Sequence, residues 1–155
     1  MFDKDFTELL SAFAAHRVKY LVIGGYAVSF HAQPRATKDL DLFIGSDPVN
    51  AQAVYAALVA FGAPLTGLAP EDFTDPDMFY RMGSPPQMVD ILPAINGVDF
   101  DSAWSNQVQV VVDEATGLTA SFIALPDLIA SKLAAGRPQD LADVAALRAA
   151  TQNEA

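Results

Sequence analysis

Asp39 and Asp41 stand two positions apart in "TKDLDLFIG", residues 37–45, inside a run that otherwise reads as a β-strand. Side chains alternate along a strand, so Asp39, Asp41 and Phe43 share one face while Leu40, Leu42 and Ile44 share the other. Aspartate is a poor strand residue, and two like charges on one face repel each other. A compensating partner is therefore expected. Two hard carboxylate oxygens pointing the same way suit Mg²⁺ bound to a triphosphate. Taken alone, the pair is equally compatible with solvated acids on an exposed edge strand.

A third acid, Asp90, lies in "MVDIL" between Val89 and Ile91. A carboxylate in so apolar a run is costly unless it is paired or metal-bound. The other way to satisfy it is an outward position on a half-exposed strand. Upstream, "IGGYA" sets Gly24 and Gly25 between an apolar strand and a helix. Glycines at that point let backbone N–H groups approach a phosphate closely, and the helix N-terminus adds a favourable dipole. A plain tight turn would use the same two residues.

The spacing of these features is more specific than any one of them. A strand ends in Gly-Gly, thirteen residues intervene, and Asp-Leu-Asp-Leu opens a second strand, with the third acid on a later one. The stretch "IGGYAVSFHAQPRATKDLDL" resembles the signature of the nucleotidyltransferase superfamily related to DNA polymerase β. "RATKDLDL" and "LPDLIASKLAAGRPQDLADVAAL" are similar to its small prokaryotic members, those related to AbiEii-type toxins and minimal nucleotidyltransferases. The resemblance covers the chain from about Val18 to Leu147.

This resemblance implies an α/β (α+β) fold, a mixed twisted β-sheet flanked by helices. It also implies two-metal transfer of an NMP from an NTP to an acceptor hydroxyl on a protein, an RNA end or a small molecule. Asp39 and Asp41 would hold Mg²⁺ (or Mn²⁺) against the triphosphate. Asp90 would complete the second metal site and help deprotonate the acceptor. Gly24 and Gly25 would cradle the triphosphate, and Lys132 would neutralise phosphate charge. The chain departs from the family pattern at Gly25, where many members carry serine. It is also short, with little room for a separate acceptor-recognition domain.

The elements that must position these residues are legible from periodicity. Phe6, Leu9, Leu10 and Phe13 are helically spaced behind acidic residues, which predicts a first helix. A buried strand follows in 18–25, a short helix in 26–33, the acid-bearing strand in 38–45, and a helix in 46–62 with an Asp cap and a Gly stop. A loop rich in Pro, Asp and Gly then leads to a strand around Met78 to Met82, and 87–95 reads as another strand. Residues 108–124 read as two strands around a turn at Ala115 to Gly117. Two helices close the chain from about 126, separated by Gly136 and Pro138. The whole, 1–155, reads as a single nucleotidyltransferase domain.

Several polar residues carry a milder expectation. Arg35 and Lys38 are candidate counter-charges for the acid pair. Arg137 joins Lys132 in the basic part of the C-terminal region. Asp140 and Asp143, three apart on a helix, could form a second polar site or simply solvate the helix start. His16 and His31 lack a second ligand at metal spacing, so packing is the expected role of both. Trp104 reads as a core or lid aromatic.

Composition narrows the classes further. The 155 residues are 52% hydrophobic and 18% charged, which suits one domain with a sizeable core. A formal net charge of −10 disfavours general binding to a nucleic-acid backbone. With no cysteine, disulfides and thiolate metal sites are excluded. The acidic start lacks the basic region and apolar block of a signal peptide, and "YLVIGGYAVSF" is too short to span a bilayer, so a soluble cytoplasmic protein is the expectation. The acid pair does not fit a haloacid-dehalogenase-type phosphatase, because Phe43 follows where Thr or Val is wanted. Nucleotide-sugar glycosyltransferases that carry such a pair are usually much larger. The rival from another class is a non-catalytic binding module of the same fold, such as an antitoxin or a regulatory partner in a toxin–antitoxin pair.

Overall fold

Asp3 caps the first helix by accepting the Phe6 N–H at 2.9 Å, and the predicted stripe of Phe6, Leu9, Leu10 and Phe13 is buried along α1 (Lys4–Ala15). The computed structural model describes residues 2–34, 36–84 and 87–153. β1 (Tyr20–Ile23) runs straight into α2 (Gly24–His31), and Gly24 makes the sharp transition at φ +68°. β2 (Leu40–Ile44) leads to α3 (Pro48–Phe61), which Asp47 caps at its start and left-handed Gly62 ends. A short 3₁₀ turn, Pro70–Thr74, interrupts the loop before β3 (Tyr80–Ser84) and β4 (Gln87–Leu92). Then come α4 (Phe100–Ser105), β5 (Val108–Asp113), β6 (Leu118–Phe122), α5 (Leu125–Ala135) and α6 (Pro138–Asn153).

The six strands form one mixed sheet in the order β3-β4-β2-β1-β6-β5. β1 is antiparallel to β2 and parallel to β6, while β2 is parallel to β4. The two outer strands, β3 and β5, are each antiparallel to their inner neighbours. The central strands are buried on both faces, as their apolar runs require. Leu40, Leu42 and Ile44 are fully enclosed on one face of β2, and Phe43 is enclosed on the other, edge-on to Phe100. Around the sheet, α1 packs on α3 and α5 on α6, while α2 contacts β1, β2 and α6.

One buried polar side chain locks the centre of this arrangement. Asn50, on α3, accepts the Lys19 N–H at 2.8 Å and donates to the carbonyls of Lys19 and Gly45 at 3.0 and 2.7 Å. It therefore pins the entry to β1 and the exit of β2 to one helix.

The mixed sheet and flanking helices match the expectation, and the two C-terminal helices are Leu125–Ala135 and Pro138–Asn153. Two local readings change. The strand expected around Met78 to Met82 begins at Tyr80. Residues 100–105 form α4, whose six residues are too few to show a helical period; Asp99 caps it through the Ser102 N–H. Trp104 lies on this helix, stacked on Phe100 and partly buried against the core.

Candidate active site

The parallel register of β2 and β4 places Asp41 directly beside Asp90 on one face of the sheet. Burial is the largest of several effects that push Asp41 up to about 7. Contact with Asp90 and the nearby charges of Asp90 and Asp39 act in the same direction, while Lys132 opposes them. Asp90 is only 8% exposed, and its Oδ1 is buried without a hydrogen-bond donor. Two crowded, desolvated carboxylates with an unsatisfied oxygen form a donor set that fits a hard divalent cation.

The antiparallel register of β1 with β2 sets Ile23 opposite Asp41, so the turn at Gly24 comes down onto that carboxyl. A Cβ at position 24 would sit 3.0 Å from Asp41 Cγ and closer still to Oδ2. Only glycine fits there, on grounds of both space and φ. Gly25 is buried in the first turn of α2, which no side chain caps. The backbone amides of that turn therefore begin beside Asp41, a geometry suited to an anion.

Asp39 behaves differently from the sequence expectation. β2 starts at Leu40, so Asp39 lies one residue before the strand and half-exposed, close enough to Asp41 for its charge to act on that carboxyl. Its carboxylate is drawn to Arg81, whose Nη2 lies 3.3 Å from Asp39 Oδ2 and whose Nη1 lies 3.2 Å from Asp90 Oδ2. Among the described residues no three such acids converge into a ready-made ion cage. Arg81 is the counter-charge that the structure shows; Lys38 is exposed and Arg35 lies outside the described residues. A hairpin reading of "FYRMGSPPQMVDIL" would have found Arg81, because it is the antiparallel partner of Asp90.

Lys132 lines the same cleft as Asp41 and Asp90, on α5. Its ammonium is gripped by Asp143 Oδ2 at 2.9 Å and Asp140 Oδ1 at 3.3 Å, both on α6. The reading of Asp140 and Asp143 as solvated helix-start acids is corrected here: they are 1% and 3% exposed. Arg137 completes the clasp, donating from Nε to Asp140 Oδ2 at 2.7 Å and from its backbone N–H at 3.1 Å. Hydrogen bonding to Arg137, outweighing the burial penalty, holds Asp140 below the usual carboxylate range, and the same contact raises Arg137. The turn at Gly136 and Pro138 folds α6 back on α5, which is what lets helix-start acids reach a lysine on the preceding helix.

Gly24, Asp41, Asp90, Lys132, Arg137 and Asp140 line one cleft of about 520 Å³. Its lining combines these polar groups with the apolar side chains of Leu92, Ile95 and Phe79. Phe79 is 55% exposed although it is a large apolar ring. The histidines take no part. His31 Nε2 lies 2.7 Å from the Ile123 carbonyl oxygen and His16 Nδ1 lies 3.0 Å from that of Ala12.

A model of the family described as a nucleotidyltransferase of unknown function (DUF6036) matches residues 1–152. No curated protein sequence matches the chain. Among solved structures, the chain is similar to the antibiotic-resistance factor ANT(2'')-Ia, with a TM-score of 0.58 and 13% identity over 97% of this chain and 83% of that one. It is also similar to the lincosamide antibiotic adenylyltransferase LnuA in its lincomycin-bound form, with a TM-score of 0.53 and 15% identity over 96% of this chain and 97% of that one. At such identities the two likenesses establish the fold. Neither they nor the family model singles out an AbiEii-type branch.

Proposed function

The chain belongs to the nucleotidyltransferase family whose model spans it, and from this premise we propose that it moves an NMP from an NTP to an acceptor hydroxyl with the help of Mg²⁺ or Mn²⁺. The observation that carries this reading is the Asp41–Asp90 pair, buried side by side with an unsatisfied oxygen beneath the amide-rich start of α2. Asp41 and Asp90 would hold the cation, with Asp39 completing the set. When bound, such an ion polarises a phosphoryl oxygen and neutralises charge that develops in transfer. Gly24 and Gly25 present backbone amides to the triphosphate, and Lys132 adds positive charge in the same cleft. Asp90 would orient the acceptor hydroxyl and take its proton. That oxygen then bonds to the α-phosphorus as the bond to the leaving pyrophosphate breaks.

The lining of the cleft supports a nucleotide: its polar groups suit phosphates, and Phe79, Leu92 and Ile95 offer apolar surface for a nucleoside. For the acceptor, a small molecule is favoured over a protein or an RNA end. LnuA is an antibiotic adenylyltransferase, and this chain aligns with nearly all of it. The net charge of −10 also disfavours RNA.

The test is transfer of α-³²P label from each of the four ribonucleoside triphosphates into cell extract, with Mg²⁺ or EDTA. Wild type runs beside Asp41→Asn, and products are separated by size, protease and nuclease sensitivity. Label entering a small-molecule fraction only with wild type and metal is the expected result. Absence of transfer and of metal–triphosphate binding by wild type would overturn the reading and leave a non-catalytic binding module on this fold.

A further inference from the structure

We propose that Arg81 is a built-in counter-cation that occupies the acid site until a nucleotide arrives, coupling metal binding to nucleotide binding through one side chain. The inference rests on the metal-binding reading above. It starts from register. Arg81 is the cross-strand partner of Asp90, so its guanidinium is delivered to the acid face by the sheet itself. There it bridges Asp90 and Asp39 at 3.2 and 3.3 Å, two acids that come from different segments of the chain.

Those contacts take one oxygen of Asp39 and one of Asp90 and set a positive charge beside the acids that would hold a cation, while Asp90 Oδ1 stays unsatisfied. A guanidinium and a divalent ion held by the same carboxylates repel each other. Each therefore weakens the binding of the other. The geometry favours departure of Arg81. Its side chain is 44% exposed, and β3 is the outermost strand of the sheet, so no further strand confines it.

A destination for the released guanidinium is close by. Phe79, two residues earlier in the chain, lines the same cleft as Asp41 and Asp90. A triphosphate in that cleft offers the forked, charge-assisted contacts for which arginine is suited. Nucleotide arrival would therefore draw Arg81 off the carboxylates and free Asp39 to join Asp41 and Asp90. Without nucleotide, the site would discriminate against free metal.

The test measures Mn²⁺ affinity by electron paramagnetic resonance, with and without the non-transferable analogue α,β-methylene-ATP. Wild type is compared with Arg81→Gln, Arg81→Lys and, as a control for net charge, Lys4→Gln at the surface pair with Glu8. Arg81→Gln is expected to bind nucleotide-free Mn²⁺ about tenfold more tightly than wild type, the scale of a charge-assisted contact removed. Arg81→Lys should lie between them, and Lys4→Gln should match wild type. The gain in Mn²⁺ affinity that the analogue gives wild type should shrink in Arg81→Gln. If wild type binds Mn²⁺ with the analogue but Arg81→Gln binds free Mn²⁺ no better, the inference fails and the proposed function stands. If wild type binds no Mn²⁺ under either condition, both fall.

Discussion

Asp41 and Asp90 occupy the same register position across the parallel pairing of β2 with β4, so two carboxyls from separate strands meet on one face. Burial first, and then the neighbouring Asp90 and Asp39, raise Asp41 to about 7. An acid raised in the folded state binds protons that the unfolded chain has released. Its contribution to stability is therefore present at low pH and lost as pH rises towards 7. Asp41→Asn, a neutral near-isostere, should accordingly melt no lower than wild type in metal-free buffer at pH 8. Nucleotidyl transfer should fall by about 10³-fold in the same variant. Lost activity accompanied by a lowered melting temperature would point to a structural role instead.

Gly24 and Gly117 allow the space above Asp41 to be tested against backbone conformation alone. Both have positive φ, +68° and +74°, but only Gly24 faces a neighbour, Asp41, while nothing lies within 4 Å of a Cβ at 117. Gly117→Ala should cost roughly 1–2 kcal/mol from conformation. Gly24→Ala should cost about 2 kcal/mol more through overpacking, and should abolish triphosphate binding. Equal effects in urea unfolding would show that the Asp41 contact is unimportant.

The α5–α6 clasp makes a prediction with a pH signature. Asp140 is held below the usual carboxylate range by Arg137, so its stabilisation is present above its ordinary pKa and disappears as pH falls through the lowered one. Asp140→Asn leaves Lys132 with half of its buried charge partners and should destabilise the protein by roughly 3 kcal/mol at pH 7. The gap between wild type and variant should narrow as pH falls from 5 towards 3. A gap that stays constant across that range would remove Asp140 ionisation as its cause.

Asn50 tests the scaffold at a distance from the chemistry. Its side chain makes three hydrogen bonds to the backbone at the entry to β1 and the exit of β2. Asn50→Ala strands those groups in a buried place, at a cost of roughly 2–3 kcal/mol. The KM for NTP should stay near wild type at temperatures where the variant remains folded. A denaturation midpoint equal to that of wild type would refute the bridging role.

The elements themselves were determined by local sequence. The helical spacing of Phe6, Leu9, Leu10 and Phe13, the Gly24–Gly25 punctuation and the Asp caps act over a few residues, where propensity and period suffice. The type and approximate place of the acid-bearing strands followed from the same signals. α4 escaped because six residues show no period. Tertiary structure decided what those residues meet. Alternation along a strand says which way Asp41 points, but only the pairing of β2 with β4 makes Asp90 its neighbour. Asp39 looked equivalent to Asp41, yet it falls one residue before β2 and turns to Arg81. Asp140 and Asp143 looked like solvated helix-start acids until the Gly136–Pro138 turn laid α6 on α5 and buried them around Lys132. Electrostatic partners are set by distance in space, and in a mixed sheet that distance is fixed by strand order and register, which depend on the whole chain folding together.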